Sequence, residues 1–151
     1  MKLQINSTSS SYTEKIGNQI GQCLRGGEVI LLVSDLGGGK TTLTRGIVRG
    51  TGSADLVTSP TFTISNIYDA SQFKVRHFDF YRLNEPGIMA DELKEQIADS
   101  TEVIIIEWGQ IIKNVLPDDK ITITIDYKSE ASRLITIQAS RKFKYLFDYL
   151  A

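Results

Sequence analysis

The pattern of hydrophobic and polar positions along the chain predicts an alternating series of strands and helices. Two continuous apolar runs, EVILLV (28–33) and VIIIEW (103–108), are typical of strands buried on both faces of a sheet. From about Tyr12 to Leu24, apolar residues share one helical face, and the Ser/Thr-rich stretch before them offers N-cap residues. The pair Gly26-Gly27 ends this predicted helix.

The remaining segments add strands, hairpins and two further helices. Strand-like runs continue the series: TFTISNIY (61–68), FKVRHFDFY (73–81), KITITIDY (120–127) and SRLITIQA (132–139). The short connections Asp69 to Gln72 and KSEA (128–131) predict two β-hairpins. Helical spacing predicts a helix from Glu85 to about Ala98. A short strand at Leu3 to Asn6 and a tail helix from about residue 141 complete one predicted domain, residues 1–151.

Composition limits the classes of protein that this chain can represent. With 151 residues, 41% of them hydrophobic and 23% charged, it fits one globular domain with a core. A net charge of −1 gives no global attraction to nucleic acid, so a contact with RNA would be local or made through a partner. Cys23 is the only cysteine, and the chain shows neither a signal-peptide pattern nor a long apolar run. We expect a cytoplasmic protein that does not span a membrane.

The segment VSDLGGGKTTLT (33–44) predicts a phosphate-binding loop. It fits the pattern G-x-x-x-x-G-K-[ST] except that Ser34 stands at the first glycine. A buried strand precedes the loop and a predicted helix follows it, which is the context in which backbone N–H groups bind phosphate. Lys40 would add positive charge, and the Thr41 hydroxyl could bind Mg²⁺. Serine at position 34 costs about 1 to 2 kcal/mol if that position needs a positive φ, and little if it is extended.

A phosphate loop that supports hydrolysis needs an acid to hold Mg²⁺ or to orient the attacking water. Glu107 is one candidate, because it closes a buried strand and ligands bind at the carboxyl ends of such strands. Asp79 is the other. A period of two in HFDFYR separates a polar face from a core face: His77, Asp79 and Tyr81 against Phe78 and Phe80.

Other features leave alternatives open. Ser59 and Thr61 lie where such proteins often keep a loop that senses the γ-phosphate, but the segment is also an ordinary proline turn. Trp108 could pack in the core, lie against a nucleotide or face a partner. The tail segment RKFKY (141–145) is either a solvated helix face or an RNA contact.

Together these segments resemble one family, the small bacterial ATPase TsaE (also called YjeE), which acts in forming threonylcarbamoyladenosine in tRNA. The matching signatures are DLGGGKTT (35–42), TRG (44–46), VTSPTFTI (57–64), HFDFYRL (77–83) and IIEW (105–108). They span about half of the chain. The sequence differs from the family pattern at Ser34, where glycine is usual, and at Gly109, where proline is common.

The resemblance implies an α/β fold like that of P-loop NTPases, a three-layer sandwich with a mixed, mainly parallel sheet flanked by helices. It implies that ATP and Mg²⁺ are bound. The nucleotide-binding residues would be Asp35, Leu36, Gly37, Gly38, Gly39, Lys40, Thr41 and Thr42. Lys40, Asp79 and Glu107 would serve hydrolysis, with Thr41 and Glu107 as metal ligands and Trp108 beside the site. Tyr81 and Arg82 match the motif without a derived role. TsaD and TsaB homologues would be the partners, and tRNA would be reached only through them.

Two alternatives to an ATPase partner of a tRNA-modifying complex remain. One is a small-molecule or nucleoside kinase. Against it, the chain shows no obvious arginine-rich lid, and few residues are left to build an acceptor pocket. A nucleotide-gated binding module would bind ATP without turnover. A GTPase is disfavoured because no N-K-x-D guanine signature occurs in the chain.

Overall fold

Strands and helices alternate along the chain in the order that the hydrophobic pattern predicts. The computed structural model describes residues 1–35, 37–60, 65–99 and 101–151. The strands within these residues are β1 (Lys2–Ser7), β2 (Val29–Val33), β3 (Ser65–Asp69), β4 (Lys74–Asp79), β5 (Val103–Glu107), β6 (Ile121–Tyr127) and β7 (Arg133–Gln138). The helices are α1 (Ser10–Cys23), α2 (Lys40–Gly50), α3 (Gly87–Ala98) and α4 (Lys144–Leu150), with short 3₁₀ helices at Gly109–Ile112 and Arg141–Phe143.

The strands form one sheet in the order β1-β7-β6-β2-β5-β4-β3. Its centre is parallel, because β6, β2, β5 and β4 pair in the same direction. Antiparallel pairs flank this centre: β3 with β4 at one side, and β6 with β7 and β7 with β1 at the other. The mixed, mainly parallel sheet and both predicted hairpins are therefore confirmed.

Helices cover the two faces of the sheet, and the sheet separates two hydrophobic cores. Alternate residues of the central strands join α1, α2 and α4 in the larger core, which contains Ile20, Ile47 and Leu146. The intervening residues join α3 and the 3₁₀ helix after β5 in the smaller core, which contains Leu93 and Ile112. This arrangement is the predicted three-layer sandwich. None of the helices in the described ranges is long and apolar enough to cross a membrane.

Glycines bring α1 and α2 into close contact. They lie four residues apart on each helix: Gly17 and Gly21 on α1, Gly46 and Gly50 on α2. A Cβ atom at Gly46 would lie 2.9 Å from the carbonyl carbon of Glu14 and 3.0 Å from the amide nitrogen of Asn18. Side chains at these positions would therefore force the two backbones apart.

Some element bounds differ from the predictions. Trp108 is not part of β5, because its φ of 56° is left-handed and ends the strand at Glu107. Helix α3 begins at Gly87, since Pro86 is its N-cap residue. Helix α1 begins at Ser10, because the Ser9 side chain caps it by accepting the Tyr12 N–H. The first half of the predicted strand 61–68 lies outside the described residues.

Candidate functional site

The glycine loop leads into a helix whose N-terminus opens onto a cavity. Gly39 is the N-cap residue of α2, with a φ of 105°, and no side chain caps the helix there. Gly37 also has a positive φ, 75°. A residue with a Cβ would be strained in this backbone region, so glycines are needed at both positions. The uncapped N–H groups and the positive end of the helix dipole are the features that suit an anion.

Ser34 does not strain the loop. In the described part of the chain, Trp108 is the only residue other than glycine with a positive φ. The conformational cost that a serine would have at a positive φ therefore does not apply to Ser34. The Ser34 hydroxyl donates to the carbonyl oxygen of Asp35 at 3.0 Å. A Cβ atom at Gly38 would meet this hydroxyl and would lie 2.9 Å from the carbonyl oxygen of Asp35, a backbone atom that cannot move aside by a change of rotamer.

Lys40, the first residue of α2, is 7% exposed. Its Nζ donates to the carbonyl oxygens of Ser34 (3.3 Å) and Asp35 (3.1 Å). Burial lowers the pKa of Lys40, and the carboxylates of Glu107, Asp79 and Asp35 oppose that shift. The ammonium group therefore lies between its own loop and the two predicted acids.

Asp79 and Glu107 stand side by side at the ends of neighbouring strands. They are register partners in the parallel pair β4–β5, and each is 3% exposed. Both point to the sheet face that carries the larger core, because Val75 and Ile105, two or four residues earlier on the same strands, belong to that core. Helix α2 packs on the same face. The Asp79 carboxylate also accepts the Tyr81 N–H at 2.9 Å.

His77 lies behind Glu107 rather than in the cavity wall. Its side chain is fully buried, and its Nε2 is 2.9 Å from Oε1 of Glu107. Phe78 and Phe80 pack in the smaller core, which confirms the predicted division of this segment into two faces. The predicted strand stops at Asp79, however, so Tyr81 lies in the following turn and is 45% exposed.

Trp108 forms an aromatic contact beside the phosphate loop. Its ring centroid is 4.9 Å from that of Tyr81, and the Nζ of Lys40 is 4.7 Å from the Trp108 ring. Its left-handed backbone directs the chain out of β5 immediately after Glu107. Trp108 thus packs partly on the smaller core and partly against the loop. The core alternative therefore holds in part, and contact of Trp108 with a nucleotide stays a prediction.

One cavity of about 260 Å³ brings most of the predicted site residues together. Its lining consists of Gly37, Gly38, Gly39, Lys40, Thr41, Thr42, Ser59, Asp79, Tyr81, Glu107 and Trp108. Asp35 is not in this lining and contributes its backbone carbonyl, which accepts the Gly38 N–H and the Lys40 ammonium group. Arg82 is exposed and is not in the lining either. Leu36 and Thr61 lie outside the described residues.

Arg133 is a residue of the site that the sequence analysis missed. It begins β7, and its Nε donates to the Gly38 carbonyl oxygen at 3.2 Å. It also lines a small cavity of about 40 Å³ between the N-termini of α1 and α2. Its sequence position, 95 residues after Gly38, gave no signal, because only the position of β7 in the sheet brings it to the loop.

The side chains of the site fit a cation that is bound together with the phosphates of a ligand. In the described ranges, no group of three or more His, Cys, Asp or Glu side chains is placed to hold a metal ion. Mg²⁺ is commonly bound by one or two carboxylates together with the phosphates of a substrate. The Thr41 hydroxyl and the Glu107 carboxylate line the same cavity and fit that pattern.

The order of elements around the cavity defines a class of fold. A buried parallel strand leads through a glycine loop into a helix, and helices cover both faces of the sheet. The class is the P-loop NTPase-like α/β fold. The crystal structure of YdiB from Bacillus subtilis shares it, with a TM-score of 0.83 and 26% identity. The alignment covers 99% of this chain and 94% of that one.

Comparisons of the sequence assign the family. The family model described as "Threonylcarbamoyl adenosine biosynthesis protein TsaE" matches residues 7–135. The tRNA threonylcarbamoyladenosine biosynthesis protein TsaE of Rickettsia felis is 34% identical over 139 residues, which cover 91% of this chain and 81% of that protein. The protein of the same name from Bacillus subtilis is 30% identical over 151 residues, covering 99% and 94%. The chain belongs to the TsaE family, as its motifs predicted, and this family is involved in tRNA threonylcarbamoyladenosine biosynthesis.

Proposed function

We propose that the chain is a Mg²⁺-dependent ATP hydrolase that supports the formation of threonylcarbamoyladenosine in tRNA. One observation carries the proposal: the uncapped N-terminus of α2, Lys40 and two buried carboxylates border the same cavity. Two carboxylates beside an anion site would repel a phosphate. They suit a site in which a divalent cation is bound together with the phosphates, as in nucleotide hydrolysis.

The residues of the chain have separable tasks in this proposal. The loop N–H groups and Lys40 bind the β- and γ-phosphates. Lys40 can exchange its two bonds to backbone carbonyls for bonds to phosphate oxygens, which are stronger because both partners are charged. Asp79 and Glu107 would orient the attacking water, whose oxygen bonds to the γ-phosphorus as the bond to the ADP oxygen breaks, while the proton of the water passes to the released phosphate.

Thr41 and Glu107 would bind the magnesium ion, and their placement fits this role. Both line the cavity, and Thr41 is in the first turn of α2, next to where the phosphates would lie. When bound, the ion would neutralise part of the charge that develops on the transferred phosphoryl group. Ser59, Tyr81 and Trp108 complete the lining and would contact the bound nucleotide or exclude water.

The proposed partners are homologues of TsaD and TsaB, with tRNA reached only through that complex. The family name connects the chain with tRNA modification. A net charge of −1 disfavours direct binding of tRNA, which is a polyanion. We therefore assign the contact with tRNA to the protein partner. A cytoplasmic location stays a prediction.

The test is ATP turnover by the purified chain with Mg²⁺, alone and with TsaD and TsaB from the same organism. We expect slow release of phosphate that increases when the partners are added and disappears in Lys40→Ala. Lys113→Ala is a matched control, because it removes an exposed lysine outside this cavity. Phosphate found on an added acceptor would favour a kinase, and tight ATP binding without turnover under any condition would favour a binding module.

A further inference from the structure

We propose that His77 is a positioning residue that fixes the Glu107 carboxylate from behind, through its neutral Nε2–H tautomer. The inference rests on the proposed function for its catalytic consequence. The hydrogen bond itself stands on geometry alone. The His77 side chain has no exposed surface, and its Nε2 lies 2.9 Å from Oε1 of Glu107, whose side chain is 4% exposed.

The parallel sheet makes this contact possible. His77 lies two residues before the end of β4, and Glu107 is the last residue of β5, the neighbouring strand. His77 pairs in register with Ile105, which is two residues before Glu107 on the same face of the sheet. The imidazole therefore reaches diagonally across the pair to the carboxylate.

The other ring nitrogen indicates which tautomer is present. Nδ1 of His77 is buried and has no hydrogen-bond partner within the described residues. A buried N–H without an acceptor is costly, so the proton is best placed on Nε2, where Glu107 accepts it. The imidazole then donates its only N–H to Glu107. The ring of Tyr68 lies 6.5 Å from the imidazole between ring centroids.

The bond restricts the catalytic carboxylate. Glu107 lines the cavity while Oε1 is bonded to His77 on the core side. A carboxylate that is held through one oxygen keeps one orientation. Its second oxygen therefore stays directed into the cavity from one turnover to the next. His77 contacts neither the cavity nor the substrate in this arrangement, and its effect passes through Glu107.

The tautomer can be measured directly, because His77 is the only histidine in the chain. A long-range ¹H–¹⁵N NMR spectrum of the full chain should show one imidazole, protonated at Nε2 and not at Nδ1. In Glu107→Gln, the Nε2 resonance should shift. An imidazole protonated at Nδ1, or an Nε2 resonance that ignores Glu107→Gln, overturns the proposal whether or not the chain hydrolyses ATP.

Turnover then tests the catalytic consequence. His77→Leu removes the donor, and His77→Gln returns an amide N–H near the position of Nε2. We expect kcat to fall at least tenfold in His77→Leu and to recover to within threefold of the parent in His77→Gln, with KM for ATP changed less than threefold in both. In a Glu107→Ala background, His77→Leu should cause no further loss.

A matched control separates positioning from stability. Val75→Ala alters a fully buried residue on the same face of β4, two residues before His77. It should lower the melting temperature while leaving kcat near the parent value. If Val75→Ala and His77→Leu reduce kcat equally, or if His77→Gln fails to restore it, His77 is only a core residue. If the parent chain shows no turnover, the proposed function fails, and the NMR result still decides the hydrogen bond.

Discussion

Alanine at Gly46 places a methyl group in the contact between α1 and α2, behind the phosphate loop. The new Cβ would lie 2.9 Å from the carbonyl carbon of Glu14 and closer still to its oxygen. These are backbone atoms of α1, so they cannot move aside by a change of rotamer. The two helices would have to separate by about 1 Å to bring the new Cβ and the Glu14 oxygen to ordinary contact.

The size of the effect follows from two opposing contributions. Overpacking costs about 1 to 3 kcal/mol, and a clash between backbones belongs at the upper end of that range. Alanine in place of glycine in a helix returns about 1 kcal/mol. The free energy of unfolding should therefore fall by about 2 kcal/mol, which for a domain of this size lowers the melting temperature by about 4 to 8 °C.

Thermal unfolding followed by circular dichroism tests this expectation. Ser11→Ala is the control, because it adds alanine at an exposed position of α1. Nucleotide affinity is a second readout, since α2 begins at Lys40 and a displaced α2 carries the loop with it. We expect weaker binding in Gly46→Ala and unchanged binding in Ser11→Ala. A melting temperature at or above that of the parent would refute the argument from close packing.

Three further predictions concern individual side chains. Trp108 is the only tryptophan, and the Nζ of Lys40 lies 4.7 Å from its ring, so a nucleotide that draws Lys40 away should change the intrinsic fluorescence; an unchanged spectrum at saturating nucleotide would contradict this. Burial raises the pKa of Cys23 while Arg25 opposes the shift, so less thiolate is present at a given pH; alkylation near pH 8 should be slower than for glutathione and should accelerate on unfolding. Arg133→Ala removes a charged donor to the Gly38 carbonyl and should weaken nucleotide binding about tenfold, as measured by calorimetry, whereas Arg133→Lys should restore it only in part.

Sequence patterns predicted the elements that obey a local rule. The period of two placed Phe78 and Phe80 in one core and His77 and Asp79 on the other face, because alternation is fixed by the backbone of a strand. The glycine loop was predicted in the same way, and two of its glycines, Gly37 and Gly39, have a positive φ in the structure. The two faces of a strand and the conformation of a glycine loop depend on residues that are close together in the sequence, so both can be predicted from the sequence alone.

Contacts between distant segments could not be predicted in this way. The His77–Glu107 bond joins residues 30 positions apart, and its existence depends on the register of β4 against β5. The Arg133 contact depends on the position of β7 in the sheet. Trp108 was assigned to a strand because its apolar character fits one, and only its left-handed backbone shows that β5 has ended. Register and strand order are properties of the assembled sheet.

The register of the strands also explains why the site lies at the carboxyl ends of the central strands. Leu32 of β2 and Asp79 of β4 both pair with Glu107 of β5, so three parallel strands end at the same level. The glycine loop begins at Ser34, directly after β2 ends at Val33, and its glycines 37–39 line the same cavity as the two carboxylates. The left-handed backbone that favours glycine occurs later in the loop, at Gly37 and Gly39, and Ser34 does not have a positive φ. A serine at this position is therefore compatible with the backbone of the loop, and the pairing of the strands brings Asp79 and Glu107 to the same end of the sheet as the loop.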